Sequence, residues 1–235
     1  MSIQDLTIVT ITFNNEEELK STYDSLEQFR KASGTHIIVN GGRSIKSIVK
    51  NSTLIEEPDN GIYDALNKGI RKVKTPFFML IHSGDTLIES NAALEELISK
   101  MESNNLDLLL NDCSIEFGSG RRLMKSRKWK PWMFFFGAQP PHPPTIYRSS
   151  KVKSFHYDLS HPVIADFKYL EDLFKSKLNW DKGNKLLIHM SAGGATSSGI
   201  KSFFFVNKQF RRLKGPLKMI LFTFTRPFIK VYQMI

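Results

Sequence analysis

The chain has 235 residues, 41% apolar and 24% charged, which suits one large α/β domain or one domain with an appendage. Cys113 is the only cysteine, which excludes an intrachain disulfide and points to a reducing compartment. The net charge of +10 is all in the last quarter: residues 1–181 hold 23 basic and 23 acidic groups, whereas residues 182–235 hold ten Lys and Arg and no acid. That end is expected to meet something acidic, whether a membrane surface, a nucleic acid or a phosphorylated substrate.

The first apolar run, Leu6–Thr12, follows Asp5 and no basic residue, so it reads as a strand and not as a signal peptide. Residues 16–30 carry Leu19, Tyr23, Leu26 and Phe29 at helical spacing behind acids that suit a helix N-terminus. Strands are predicted over 36–39 and 53–56, stopped by Asn40-Gly41-Gly42 and by Pro58-Asp59-Asn60-Gly61. A helix over 62–73 places Ile62, Leu66, Gly69, Ile70 and Val73 on one face. A strand over 76–81, a helix over 90–101 and a strand over 106–110 complete the first half.

From about residue 112 the pattern changes. Short strands are predicted over 113–117 and 122–127, joined by a Gly118-Ser119-Gly120 hairpin turn. The stretch 139–144, Gln-Pro-Pro-His-Pro-Pro, is barred from helix because proline removes a donor and fixes φ. One more strand over 145–148 and a helix over 163–174 follow.

Alternating strands and helices over the first 110 residues argue for a mainly parallel, Rossmann-like sheet with helices on both faces, where ligands sit at the carboxyl ends of the strands. Those ends carry Asn14-Asn15, Asn40-Gly41-Gly42, Glu57-Pro58-Asp59 and His82-Ser83-Gly84-Asp85. An acid where a strand leaves such a sheet is well placed to hold a metal or a phosphate. Asp85 lacks a second acid two places before it, where Ser83 stands.

The string "EPDNGIYDALNKGI" (57–70), with "LTIVTITFNN" before it and "IHSGDTL" after, resembles family 2 of the inverting glycosyltransferases, which have the GT-A fold. "HPPTIYRSS" (142–150), "ADFKYL" (165–170) and "GGATSSG" (193–199) recur in the same order in bacterial members that build surface polysaccharides such as lipopolysaccharide. The resemblance covers roughly residues 5–200. It implies a GT-A domain over 1–200, with a nucleotide-sugar half over about 1–111 and an acceptor half over 112–200, followed by a basic amphipathic extension over 201–235.

The resemblance also implies roles. Thr12 and Asn14 would line the base pocket, together with Asn40, which stands where the family usually has an aspartate. Asp59, Gly61, Asp64 and Asn67, with Ser83 and Gly84, would contact the nucleotide sugar. Asp85 would hold Mn²⁺ or Mg²⁺; one acid suffices because diphosphate oxygens and water fill the remaining positions. Asp166 matches the family's general base, which takes the proton of the acceptor hydroxyl. His142, Lys168 and Glu171 would contact donor or acceptor, and Glu171 and Asp172 are fallback bases.

Beyond residue 200, Phe203, Val206, Phe210 and Leu213 recur at helical spacing, as do Leu217, Ile220, Leu221, Phe224, Phe228, Val231 and Tyr232. Basic, aromatic-rich amphipathic helices suit the surface of an anionic membrane. The competing reading packs these faces on the catalytic domain or on a second subunit, as a homodimer. The expected protein is thus an inverting, hexosyltransferase-type enzyme, peripheral to the cytoplasmic face of the inner membrane. It would move a sugar from a UDP-sugar to a lipid-linked or growing glycan, with no nucleic-acid partner. The alternative is an inactive relative that scaffolds a glycan-assembly complex.

Overall fold

The computed structural model describes residues 1–117, 120–191 and 200–234. The Gly118-Ser119 turn and the 193–199 motif lie outside the described residues, as does the Phe203 side chain. The elements run β1 (Leu6–Thr12), α1 (Glu16–Ser25), α2 (Glu27–Lys31), β2 (Thr35–Asn40), β3 (Thr53–Glu56), α3 (Ile62–Lys72), β4 (Phe77–His82), β5 (Thr86–Leu87) and α4 (Asn91–Ser103). They continue as β6 (Leu108–Phe117), β7 (Gly120–Met124), β8 (Ile146–Arg148), α5 (Ser149–Val152), α6 (Ala165–Lys175), β9 (Trp180–Met190), α7 (Ile200–Lys214) and α8 (Pro216–Met234). Two 3₁₀ turns, Ser126–Lys128 and Pro131–Phe136, lie between β7 and β8.

Among the described residues the strands form one sheet in the order β3-β2-β1-β4-β8-β6-β9-β5, with β7 paired to β6. The pairs β3–β2, β2–β1, β1–β4 and β6–β9 are parallel, and β8 runs antiparallel between β4 and β6. Alternate side chains of the strands feed two cores. Val9, Ile11, Phe78, Leu80, Leu108 and Leu110 pack with α3, α6 and the C-terminal helices. Leu6, Ile8, Phe77, Met79, Ile81 and Leu109 pack on the other face with α2 and α4. Both faces are covered, which is why the central strands read as unbroken apolar runs.

β5 follows β4 by only three residues, yet it pairs with β9, at the far end of the strand order. The sheet must therefore curl, and the ends of β4 and β9 are brought together. This is the GT-A-like architecture, a curled, mostly parallel sheet flanked by helices and followed by two amphipathic C-terminal helices.

Several boundaries correct the sequence reading. The predicted 16–30 helix breaks at Leu26 into α1 and α2. The strands predicted over 106–110 and 113–117 are one, β6: Asn111 in its middle is buried and donates to the Leu109 and Pro144 carbonyls, so a polar residue there ends nothing. The strand predicted over 122–127 ends at Met124, and Ser126, held by Asp112, turns the chain into a 3₁₀ turn. β9 was not foreseen. Its alternation is obscured by Gly183 and by register shifts opposite Leu110–Cys113.

The C-terminal helices cover the first core with one face each. Phe210 of α7 and Phe222 of α8 are fully buried and meet edge to face at 4.9 Å. Phe210 also packs edge-on against Phe167 of α6, with centroids 5.1 Å apart. Each such ring buried on folding stabilises by roughly 2–3 kcal/mol. Lys214 of α7 forms an ion pair with the nearly buried Glu171 of α6, whose other partner is Lys175 at 3.0 Å.

Candidate active site

Four strand ends converge, as the parallel topology requires. At β1, Thr12 is buried, and its hydroxyl lies 3.5 Å from Ser83 Oγ at the end of β4. Asn14 follows in a left-handed conformation, φ +50°, and its Oδ1 accepts the Arg43 N–H at 2.8 Å. Asn40 at the end of β2 is buried. Its Nδ2 donates to the Arg43 carbonyl (2.6 Å) and to Glu56 Oε1 (3.4 Å), while its Oδ1 accepts from the Gly42 N–H (3.0 Å). Both donors of this amide are thereby engaged in shaping the Gly41–Arg43 turn, with one oxygen lone pair left over.

That turn needs its glycines for close approach. A Cβ on Gly41 would lie 1.9 Å from Asp59 Oδ2, and one on Gly42 would lie 2.5 Å from Asn14 Oδ1. The missing side chains let the loop before α3 and the end of β1 press onto the same turn. An open cleft of about 420 Å³ begins beside it, lined by Asn14, Asn15, Glu16, Glu17 and Arg43.

Asp59 Oδ1 accepts the Gly61 N–H at 2.9 Å, and Gly61, φ +104°, opens α3. Asp64 accepts the Asn60 N–H at 3.0 Å and pairs with Lys68 at 3.4 Å; these partners lower its pKa, the Asn60 N–H most. Asn67 is buried away from this edge. It exchanges two hydrogen bonds of 2.9 Å with the Tyr157 backbone, so its amide clamps a distant loop.

Asp85 closes a tight turn in which its own N–H donates to the His82 carbonyl at 3.0 Å. Its carboxyl is buried. Oδ1 accepts the Ser191 N–H at 3.2 Å, just past β9, and Oδ2 is buried without a hydrogen-bond partner. Burial raises the carboxyl pKa to about 7, and the charge of Glu18 adds to the rise. A Cβ on Gly84, φ +95°, would lie 2.5 Å from Ser191 Oγ and 3.2 Å from Glu18 Oε2, so this corner accepts only glycine. Glu18, from α1, is an acid at this turn that the sequence reading missed; it looked like one of three helix-starting glutamates.

Among the described residues no group of three or more His, Cys, Asp or Glu is arranged to hold a metal ion. The residues nevertheless fit a divalent cation that takes most of its ligands from a diphosphate and water. A buried carboxylate with one oxygen unpartnered lacks a positive charge, which such a cation supplies.

Asp166 stands in the first turn of α6, and both its oxygens are held. Tyr63 of α3 donates to Oδ1 at 3.1 Å, and Gln139 Nε2 donates to Oδ2 at 2.6 Å. Burial, with the nearby Asp166 charge, pushes the Tyr63 pKa far up, so its hydroxyl keeps its proton and donates. Both donors are neutral and steer the carboxylate without cancelling its charge. Neither was foreseen: Tyr63 lay inside "GIYDA" and Gln139 before the prolines, where only long-range packing gives them meaning.

Behind Asp166 lies His142, fully enclosed. Its Nε2 is 2.6 Å from the Tyr157 hydroxyl, and the rings of Tyr147, Tyr157 and Tyr169 surround it. Burial lowers its pKa to about 4, against the opposing pull of Asp166. Burial likewise lowers His82, and Asp166 again opposes it, which brings the α6 carboxylate within electrostatic reach of the end of β4. The expected contact roles of three residues meet other partners. His142 is walled in by tyrosines, Lys168 pairs with Asp172 at 2.7 Å, and Glu171 is taken by Lys214 and Lys175.

A curled parallel sheet with acids at its strand ends and a carboxylate at a facing helix start defines a GT-A-type glycosyltransferase. Residues 7–174 match the family described as glycosyl transferase family 2, and the chain belongs to that family. Uncharacterized glycosyltransferases of two Mycobacterium tuberculosis strains are each 28% identical over 188 residues, covering 72% of this chain and 68% of theirs. Among solved structures, residues 1–349 of S. aureus TarS in complex with UDP superpose with a TM-score of 0.64 at 12% identity, covering 94% of this chain and 70% of that one. The mannosyltransferase PcManGT of Pyrobaculum calidifontis, in complex with GDP-Man and Mn²⁺, gives 0.61 at 11% identity, covering 97% and 72%. The chain is accordingly a glycosyltransferase.

Proposed function

We propose that the protein is an inverting glycosyltransferase that moves a sugar from a nucleoside-diphosphate sugar, UDP-linked, to a hydroxyl of a lipid-linked or growing glycan in bacterial surface-polysaccharide assembly. The observation that carries this reading is Asp166, a carboxylate at a helix start held by two neutral donors, Tyr63 and Gln139. In the reaction, the acceptor hydroxyl gives its proton to Asp166 as its oxygen attacks the anomeric carbon. The bond from that carbon to the diphosphate oxygen breaks, its electron pair leaves with the nucleoside diphosphate, and the anomeric configuration inverts.

Asn14, Asn40 and the Gly41–Arg43 turn bound the base end of the donor site in this reading, with Thr12 beneath them. Asp59 and Gly61 lie toward the diphosphate, with Ser83 and Gly84 near Asp85. Asp64 and Asn67 act by holding α3 and the Tyr157 loop in place. Mn²⁺ or Mg²⁺ held by Asp85 would offset the charge that builds on the leaving diphosphate. UDP is preferred because TarS is solved with UDP and with UDP-GlcNAc, whereas PcManGT, with GDP-Man, keeps GDP in the test. A lipid-linked acceptor fits the basic C-terminal helices, and it puts the enzyme on the cytoplasmic face of the inner membrane.

The test is thermal stability with UDP, GDP or dTDP, each with Mn²⁺, Mg²⁺ or EDTA, for the natural protein and Asp85→Ala. We expect a metal-dependent rise with UDP that the variant lacks, through binding linkage. A rise with GDP instead would reassign the donor, and no rise with any nucleotide in a folded sample would overturn the reading. The anomeric configuration of the product, read by NMR, decides between inversion and retention.

A further inference from the structure

Among the described residues, nothing covers the outer face of the C-terminal hairpin. On α8, Leu217, Ile220, Phe224, Phe228 and Val231 recur at helical spacing and form one exposed stripe, with Leu217 82%, Phe224 69% and Phe228 78% exposed. The stripe does not end at the helix. In the 3₁₀ turn Pro131–Phe136, Trp132 is 56% and Phe135 54% exposed. Lys218 lies 5.3 Å over the Phe135 ring, Thr225 Oγ1 donates to the Phe136 carbonyl at 3.4 Å, and Lys128 lies 5.2 Å over Tyr232. Residues 128–136 therefore run alongside α8 and extend its apolar stripe with an aromatic shelf from the catalytic domain.

We propose that α8 and the Trp132–Phe135 shelf form a single docking face for the surface of an anionic lipid bilayer, with the shelf rings inserted among the lipids beside the helix. The proposal rests on the membrane-acceptor reading above and assigns it a surface that includes residues outside the C-terminal extension. Three observations select this occupant. Residues 200–235 contain eight Lys and Arg and no acid, and Lys208, Arg211, Arg212 and Lys218 are exposed around the apolar stripe. A second copy would bring the same uncompensated charge against itself. A nucleic acid would match the charge but not a stripe of Leu, Ile and Phe. A bilayer with anionic headgroups takes both, apolar side chains into the acyl boundary and cations at the headgroups. Among the described residues no helix is long and apolar enough to cross a membrane, so the face lies on the surface.

The inner face of the same hairpin gives the arrangement a consequence. Phe210 and Phe222 pack on Phe167, next to Asp166 in α6, and a Cβ on Gly137 would come within 2.7 Å of Phe222. The docking surface is thus one helix layer from the candidate base, close to where the headgroup of a lipid-linked acceptor would enter.

The full chain is tested with vesicles of phosphatidylcholine alone and with phosphatidylglycerol added, by cosedimentation and by tryptophan emission. Trp129 is fully buried and Trp180 half-buried, whereas Trp132 is exposed, so a lipid-induced blue shift that Trp132→Phe removes reports on the shelf. We expect binding only to the anionic vesicles, weakened by salt, with a blue shift and quenching by brominated lipid that Trp132→Phe abolishes. Phe228→Glu on α8 and Phe135→Glu on the shelf should each weaken binding at least tenfold while the UDP-dependent thermal rise stays intact; both side chains are exposed, so the fold tolerates the change. Binding with unaltered Trp132 emission, or tight binding by Phe135→Glu, would overturn the shared face. Absence of vesicle binding would overturn the proposal, and a preserved UDP response in that sample would leave the glycosyltransferase reading standing. Sedimentation equilibrium showing a dimer that Phe228→Glu dissociates would assign the face to a second copy and overturn it too.

Discussion

Asp85 and Asp166 are acids of one candidate site in opposite surroundings. Asp85 is walled in, with a neighbouring acid in Glu18 and one oxygen unpartnered, and its pKa is raised to about 7. Asp166 is partly open and has a neutral donor on each oxygen. The first carboxylate is unfavourable until something positive joins it, and the second is already oriented. This contrast suits a ligand-completed position at one end and a prepared base at the other.

The largest expected effect tests that division. Asp166→Asn should lower kcat about a thousandfold, within the range of general-base losses, and leave nucleotide affinity unchanged; a comparable fall in nucleotide affinity would show that the two acids do not divide the work. Next is Asp85→Asn in the protein without nucleotide or metal. The folded carboxyl pKa of about 7 lies above the unfolded value near 3.8, so the folded state holds an extra proton between those pH values. Stability from that proton is lost as pH rises through about 7. The variant should therefore be about 4 kcal/mol more stable than the natural protein at pH 8 and nearly equal to it near pH 4, by urea unfolding.

Tyr63→Phe should cost roughly tenfold in kcat with little change in KM, since a hydrogen bond to a charged group contributes on the order of 1.5 kcal/mol. An unchanged kcat would mean that Gln139 alone orients the base. A further test is on acid stability. His36 and His142 are held to about 3 and 4 by burial, so they stay neutral while the unfolded chain's imidazoles gain protons below about pH 6.5. Stability should fall by up to about 1.4 kcal/mol per pH unit for each histidine as pH drops from there toward 4. His142→Gln should flatten that slope.

Legibility in the sequence followed the same divide. β1 and β4 read correctly because parallel strands buried on both faces are continuous apolar runs ended by polar turns. The strand-end cluster followed from topology alone, and the family from motifs in order. The second half was harder, because its polar residues are satisfied at long range. Asn111 reaches Pro144, Asp112 reaches Ser126, and Asp107 holds the Asn179 N–H, so apparent breaks lie inside or beside strands. Asp166 was singled out through its motif, but Tyr63 and Gln139 carry no local signal, since 103 and 27 residues separate them from it in the chain. Glu171 was expected as a contact residue from the resemblance, and its ion pair with Lys214 bridges two helices that no periodicity connects.

The three-residue strand β8 has a mechanical consequence. It joins the parallel strands to the rest of the sheet through only two residue pairs on each side, Phe77–Arg148 and Phe78–Tyr147, then Leu108–Tyr147 and Leu109–Ile146. The Arg148 guanidinium reinforces this narrow waist, donating to the carbonyls of Leu106 (2.9 Å) and Met101 (3.1 Å) and to Glu102 (2.8 Å). The same guanidinium lies 5.0 Å over the Phe77 ring of β4, so it links both sides. In native-state hydrogen exchange the blocks β3-β2-β1-β4 and β6-β9 should open together in the natural protein and as separate cooperative units in Arg148→Ala. Without that link, one block would breathe while the other stayed shut.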